Sequence, residues 1–304
     1  MLTGELISRF DLIEIEGYCA VMNYRHAYHA GNHADVLKHA VLAKVIERLA
    51  AKDKPFGVLD AHAGAGAYDL QSEAASKTGE WLGGIGLMQE AFSSEVEAVL
   101  VPYRLVIAGL NQTGGNRFYP GSPDIALQLL RSTDRLVANE LHREEAETLR
   151  MNYHGEKRLV ITQLDALAAV KQQLPLKERR GLVLIDPPYE VKDEAAKVCR
   201  LLAEAVRRFE TGVVMIWYPI TTEEFVDGLV TGISGLGIDN LLCAELRVKN
   251  THEQSGLSGS GLIIRNPPFG LEEDLKILLP ALAQRLGIEG LGLAKQEWLT
   301  PKKG

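Results

Sequence analysis

An acidic side chain, two prolines and an aromatic ring, Asp186-Pro187-Pro188-Tyr189, stand directly after the apolar run Gly181-Leu-Val-Leu-Ile185. Such a group at the end of a buried strand makes a clamp for a planar ring that bears an exocyclic amine. The amine of adenine is a poor nucleophile because its lone pair is delocalised into the ring. Methylating it requires the nitrogen to be rehybridised and held in line with an activated methyl group. Asp186 can accept one N–H and the Pro187 carbonyl the other, which favours positive charge on nitrogen as the C–N bond forms. Proline offers no competing N–H and restricts the turn, so both acceptors stay aimed. Tyr189 can stack on the base once it has left its own stack, and a single-stranded or bulged target lowers that cost. Proton loss can follow transfer, so orientation and charge stabilisation suffice and Asp186 need not act as an early base. A plain strand-to-loop turn is the structural alternative. The second such tetrapeptide, Asn266-Pro-Pro-Phe269, lacks a carboxylate and follows a terminal hairpin, so it reads as a turn.

A second group of residues has the chemistry of a nucleoside site. Phe56-Gly-Val-Leu-Asp60 reads as a short buried strand, and the following Ala61-His62-Ala-Gly64-Ala-Gly-Ala67 is a turn whose backbone can pass close to a ligand. Asp60 can accept hydrogen bonds there, although the spacing departs from G-x-G-x-x-G. Arg135 to Glu140 reads as the next strand, and Glu140 at its end can accept both hydroxyls of a ribose. Phe118-Tyr-Pro-Gly-Ser122-Pro123 opens a helix over about 124–130 and offers N–H groups and a hydroxyl to an anionic group. Asp165, beside Ala166, can accept an adenine amino hydrogen or cap the helix that follows, and the two roles can coexist.

Strands and helices alternate around these positions. Asn32 caps a helix over 33–51 with Leu37, Val41, Val45 and Leu49 on its buried stripe, and Lys38 and His39 lie beside that stripe within reach of a neighbouring site. Further helices are read over 144–150, 192–209 and 222–233. Strands are read over 158–162, 182–185 and 212–217, with a terminal hairpin from 241–249 and 261–265. The stretch 70–117 reads as a small, mostly helical insertion. The pattern is that of a twisted α/β sheet with ligand loops at the carboxyl ends of its strands and an antiparallel strand at the terminal hairpin. A Rossmann-like methyltransferase has this form, and pattern alone leaves other mixed sheets open.

Composition bounds the alternatives. The chain has 304 residues, 46% apolar and 24% charged, as in an ordinary globule. No run of 18 apolar residues suggests a membrane span. Three widely separated cysteines, Cys19, Cys199 and Cys243, suggest neither a disulfide framework nor a thiolate cluster and fit a reducing cytoplasm. His29 and His33 lack the glutamate of H-E-x-x-H, so no metal is expected, and no nucleophile elbow favours a hydrolase. The net charge of −7 opposes a phosphate-rich partner unless a local basic face compensates. Tyr24 to Lys54, with six Lys or Arg against three acids and four of the eight histidines, can supply such a face or equally be a solvated surface. Residues 1–21 carry four acids and one Arg and read as a leader that is either disordered or outside the working protein, with Met22 as an alternative start. No feature demands a protein partner, which leaves a monomer as the expectation.

Taken together, the stretch from Met22 to His39 (MNYRHAYHAGNHADVLKH), followed by LDAHAGAGAY, YPGSP, NELH, RRGLVLIDPPYE and WYP, resembles the RlmJ family of bacterial 23S ribosomal RNA adenine-N6 methyltransferases. The likeness runs from Met22 to Trp298, and the long first signature is more specific than DPPY alone. It implies a Rossmann-like methyltransferase domain over 22–304 with an inserted helical subdomain, S-adenosylmethionine as donor and one adenine of 23S RNA as target. Matching positions give donor-binding roles to Lys38, His39, His62, Ser122, Glu140 and the Asp165-Ala166 pair, and the catalytic role to Asp186. Tyr24 falls in a motif that can gate the pocket, and Arg25 is placed to favour RNA at the entrance. Ala166 departs from a Gly in a close relative, a change that a backbone N–H contact survives, and the residues before Met22 also depart from the family pattern. DNA adenine methylation, protein or small-molecule methylation, and a non-catalytic role in ribosome assembly remain the alternatives.

Overall fold

Eight strands form one sheet in the order β10-β8-β9-β7-β6-β1-β4-β5 in a computed structural model that describes residues 26–112, 115, 117–190, 193–250 and 256–302. The strands are β1 (Gly57–Asp60), β4 (Arg135–Asn139), β5 (Leu159–Thr162), β6 (Gly181–Ile185), β7 (Val213–Ile220), β8 (Leu241–Arg247), β9 (Gly259–Arg265) and β10 (Leu293–Trp298). The five from β7 to β5 run parallel, whereas β9 is antiparallel to both β7 and β8. This is the expected sheet, with the terminal hairpin as β8 and β9.

The central parallel strands β6 and β7 are apolar along their whole length because both faces are covered, whereas the edge strand β5 is only half-buried. Val58, Leu182, Leu184 and Met215 point into one apolar cluster, and Leu59, Val183, Ile185 and Ile216 point into the other. Helices α1 (His33–Ala50), α4 (Ser122–Leu129) and α9 (Leu271–Leu286) cover the first face. Helices α6 (Ala166–Gln173), α7 (Glu194–Arg208) and α8 (Glu223–Ser234) cover the second. Helix α1 is buried nearly all round rather than along one stripe. Its cap is as expected: Asn32 Oδ1 accepts from the Ala34 and Asp35 N–H groups, both at 3.0 Å. Helix α5 (Arg143–Asn152) links β4 to β5.

The stretch 70–117 lies between β2 (Ala67–Asp69) and β3 (Phe118–Pro120), a short antiparallel pair. It contains α2 (Glu73–Thr78) and α3 (Ser94–Leu110). Helix α3 docks on the main body, since Val99, Leu100, Tyr103 and Val106 share one apolar cluster with α1 and α9. The sequence reading assigned no element beyond β9, yet α9 and β10 follow, and β10 pairs antiparallel with β8. The Asn266 turn is structural: its Nδ2 donates to the Glu210 and Gly212 carbonyls at 3.0 and 3.2 Å, at the end of the sheet remote from Asp186.

The chain runs outward from β1 through β4 to β5 and then returns to β6 and β7, so the order reverses between β1 and β6. A reversal of this kind opens a crevice at the carboxyl ends of the strands. Asp60, Asn139 and Ile185 end their strands at that edge, which places Glu140 and Asp186 just beyond it.

Candidate active site

A cavity of about 1180 Å³ lies in this crevice. It exceeds the roughly 300–1,000 Å³ usual for one small ligand, which leaves room for a donor and an acceptor side by side. Lys38, His39, His62, Gly64, Ser122, Glu140, Asp165, Ala166, Asp186 and Pro187 all line it. Sequence positions separated by up to 149 residues therefore meet in one chamber.

At the β6 end, Asp186 Oδ2 accepts from the Lys38 ammonium at 2.6 Å. Lys38 is itself shared, because Asp35 Oδ1 lies 2.9 Å from Nζ on the other side. Burial pulls the lysine's pKa down, but the Asp186 and Asp35 carboxylates outweigh it and the net shift is upward. Lys38 is therefore a permanent cation. The Asp186 backbone N–H donates to His62 Nδ1 at 3.2 Å. Burial lowers the His62 pKa to about 4, so the ring is neutral, and with Nδ1 accepting, its proton sits on Nε2. Lys38 and His62 thus fix the acidic loop by side chain and by backbone.

On the opposite wall, Glu140 Oε2 accepts the Gly64 N–H at 2.7 Å and Oε1 accepts the His142 N–H at 2.7 Å. Burial raises the pKa of this carboxyl, an effect that the two backbone donors oppose. Each oxygen keeps a lone pair for a ligand hydroxyl. Gly64 has φ +62°, and a Cβ there would meet the Tyr68 hydroxyl at 2.4 Å, so glycine is required by the turn and by its neighbour. Asp165 caps α6 through the Leu167 and Ala168 N–H groups at 3.0 and 3.4 Å, so the capping role is realised while the residue still lines the cavity.

Two expected ligand contacts sit behind the wall. Asp60 is 1% exposed and does not line the cavity. Its carboxylate accepts from Ser122 Oγ at 2.6 Å and from the His62 N–H at 3.2 Å, so it positions two lining residues instead. Burial is the main reason its pKa rises to about 7. Tyr189 also lies off the lining. Its hydroxyl donates to the Trp217 carbonyl at 2.8 Å, and its ring packs at steep angles to Trp217 and Phe225. Lys38 is committed to two carboxylates rather than open toward a donor, and His39 Nδ1 is 3.0 Å from the Tyr119 hydroxyl. Tyr24, Arg25 and the leader lie outside the described residues.

Sequence reading missed three residues. Asp35 accepts from the Gly31 N–H and pairs with His26 Nε2, both at 2.9 Å, in addition to Lys38. Asn139, 1% exposed, donates to the Ala61 and Leu164 carbonyls at 3.1 and 2.9 Å and so ties together the loops after β1 and β5. His142 lines the cavity with a buried Nδ1 that has no partner among the described residues. The Asp35–Lys38 spacing of one helical turn was the only advance signal among these. No group of three or more His, Cys, Asp or Glu among the described residues is placed to hold a metal ion.

Comparison with known proteins agrees with this geometry. A family model described as ribosomal RNA large subunit methyltransferase D, RlmJ, matches residues 53–300. Ribosomal RNA large subunit methyltransferase J of Haemophilus influenzae is 42% identical over 283 residues, covering 93% of this chain and all of that protein. The Escherichia coli protein of the same name is 42% identical over 284 residues with the same coverage. The crystal structure of protein LPL1258 from Legionella pneumophila superposes with a TM-score of 0.81 at 31% identity, covering 89% of this chain and 98% of that one. With its sheet, its acidic loop and these relatives in agreement, the chain belongs to the RlmJ family of ribosomal RNA large subunit methyltransferases.

Proposed function

We propose that this chain transfers a methyl group from S-adenosylmethionine to the exocyclic N6 of one adenine in 23S ribosomal RNA, with Asp186 as the catalytic acceptor. The observation that carries this reading is a carboxylate at the end of β6 facing the same cavity as Glu140 and the Gly64 turn. Amine-binding and nucleoside-binding chemistry thereby share one chamber.

The residues present fit the donor. Glu140 has lone pairs for ribose hydroxyls, Asp165 and the Ala166 backbone suit an adenine edge, and Ser122 at the start of α4 suits a carboxylate. The buried, unpartnered His142 Nδ1 is a further polar group awaiting a contact. Bound there, S-adenosylmethionine supplies a methyl group on a cationic sulfonium. The chain's own residues do the rest. Asp186 Oδ1 has no hydrogen-bond partner among the described residues and accepts one N–H of the amine, while the Pro187 carbonyl accepts the other. Both acceptors strengthen their hold as the nitrogen becomes positive, which lowers the barrier more than it tightens ground-state binding. The methylated nitrogen sheds its extra proton afterwards, so the neutral base needs no prior deprotonation. Lys38 and His62 keep the acceptors from reorganising during transfer.

The test is transfer of a labelled methyl group to unmodified 23S RNA and to adenine-containing DNA, with the modified nucleotide mapped. The proposal predicts one N6-methyladenine in RNA. Equal or preferential labelling of DNA, or labelling at another atom, contradicts it.

A further inference from the structure

Asp35 lies in the first turn of α1, with its side chain 3% exposed. Every neighbour of its carboxylate is a donor. The Gly31 N–H and His26 Nε2 approach Oδ2 at 2.9 Å, and the Lys38 ammonium approaches Oδ1 at 2.9 Å, with His39 Nε2 further off at 3.9 Å. Burial raises the carboxyl's pKa, but His26, Lys38 and His39 outweigh it and hold the group well below the ordinary range. Asp35 is therefore an anion in the interior, and Lys38 stands between it and Asp186.

A lysine ammonium is a point charge with three donors on a flexible four-carbon stem. Facing a single carboxylate, it would settle against that group and could engage both oxygens. Tethered at 2.9 Å to a second carboxylate on its own helix, it can reach only the near oxygen of the first. The structure shows that arrangement, with Nζ 2.6 Å from Asp186 Oδ2 and Oδ1 left without a partner among the described residues. The amine of an incoming base needs an oxygen in that condition.

Building on the proposed function, we propose that Asp35 is a positioning residue for methyl transfer: by anchoring the Lys38 ammonium it confines that cation to one oxygen of Asp186 and keeps the other for the substrate amine.

The decisive variant is Asp35→Asn, which keeps an oxygen for the Gly31 N–H and removes the charge. Single-turnover transfer to 23S RNA should fall about tenfold to a hundredfold, while the donor dissociation constant and the RNA concentration for half-saturation stay within about twofold of wild type. In a Lys38→Arg background the same substitution should cost much less than in wild type, because the cation it positions has changed. A merely structural role predicts instead that donor binding weakens along with turnover and that the two substitutions multiply independently. Either of those results overturns the inference, as does full turnover by a folded Asp35→Asn protein. If that variant does not fold, Asp35→Glu keeps the anion and displaces it by one methylene, and full turnover by it overturns the inference equally. A wild-type chain that methylates no RNA removes the proposed function and this inference together. An active wild type with an indifferent Asp35 removes only the inference.

Discussion

Replacing Lys38 with Met removes one cation from between two carboxylates, and the structure sets the size of the result. The ammonium lies 2.6 Å from Asp186 and 2.9 Å from Asp35, with its side chain 4% exposed. Most of the Coulombic attraction of such a pair is offset by desolvation, so the intact pair adds little to stability. Removing the ammonium takes a shared counter-charge from both carboxylates, with Asp35 keeping the Gly31 N–H and His26, and the loss of one partner of a buried pair costs about 3–5 kcal/mol. At roughly 2.1 cal/mol/K of unfolding entropy per residue, 304 residues give about 0.64 kcal/mol/K, so a loss of about 4 kcal/mol lowers the melting midpoint by about 6 °C. The loss depends on pH. In the wild type the Asp35 pKa is lowered, so its contribution is present above the unfolded value and disappears as pH falls through the folded one. Without Lys38 the pKa of the buried carboxyl rises relative to wild type, with His26 and His39 still holding it down, so the variant's folded state keeps its proton to higher pH than the wild type's. The gap between variant and wild type should therefore widen as pH rises from the wild-type folded pKa through the variant's. Urea unfolding at four or five pH values measures it, and a pH-independent gap below about 1 kcal/mol would refute the electrostatic argument.

Asp60→Asn should act in the opposite sense on stability. Burial pushes the Asp60 pKa up to about 7, so its protonated form stabilises the fold fully below the unfolded value of about 3.9, and that contribution is lost as pH rises through about 7. Relative to wild type, the variant should gain about 2–3 kcal/mol between pH 5 and pH 8 at about 1.36 kcal/mol per unit, and a flat difference in urea unfolding would contradict this. Glu140→Gln keeps one acceptor oxygen and loses a charge-assisted one worth about 1.5–3 kcal/mol. Donor affinity measured by calorimetry should weaken about tenfold to a hundredfold with RNA affinity unchanged. His142→Phe removes a nitrogen that has no partner among the described residues, so it should leave the melting midpoint within a few degrees while weakening donor binding by about fivefold, or about 1 kcal/mol. A lower midpoint with unchanged donor affinity would assign that ring to folding instead.

How far these residues could be read in advance depended on whether their role was local. The β6 strand and its acidic loop were readable because a wholly apolar pentapeptide followed by Asp-Pro-Pro admits few conformations. The Asn32 cap and the Asp165 cap were readable for the same reason, since both bond to N–H groups two or three residues ahead. Asp60 and Tyr189 sit at the ends of the expected strands but off the cavity lining. A strand-end carboxylate looks alike in sequence whether it meets a ligand or the hydroxyl of Ser122, which lies 62 positions away. Asn139 could not be singled out, because its bonds to the loops after β1 and β5 exist only once three strands are aligned. Helix α9 was different: Leu271, Leu275, Leu278, Leu282 and Leu286 recur at three- and four-residue spacing and face the core, a periodicity that was available and passed over. Pro280 within that run is accommodated without ending the helix.

The measurement closest to the central claim compares wild type with Asp186→Ala for donor binding and for labelled methyl transfer to 23S RNA in the same preparations. Asp186 lines the cavity, and its proposed role as acceptor of the substrate amine predicts that the variant binds S-adenosylmethionine within a few-fold of wild type and transfers at least a hundredfold more slowly, the loss of about 2.7–4 kcal/mol that follows removal of one group stabilising developing charge. A folded Asp186→Ala protein that places the methyl group on the same adenine N6 at the wild-type rate would contradict the account.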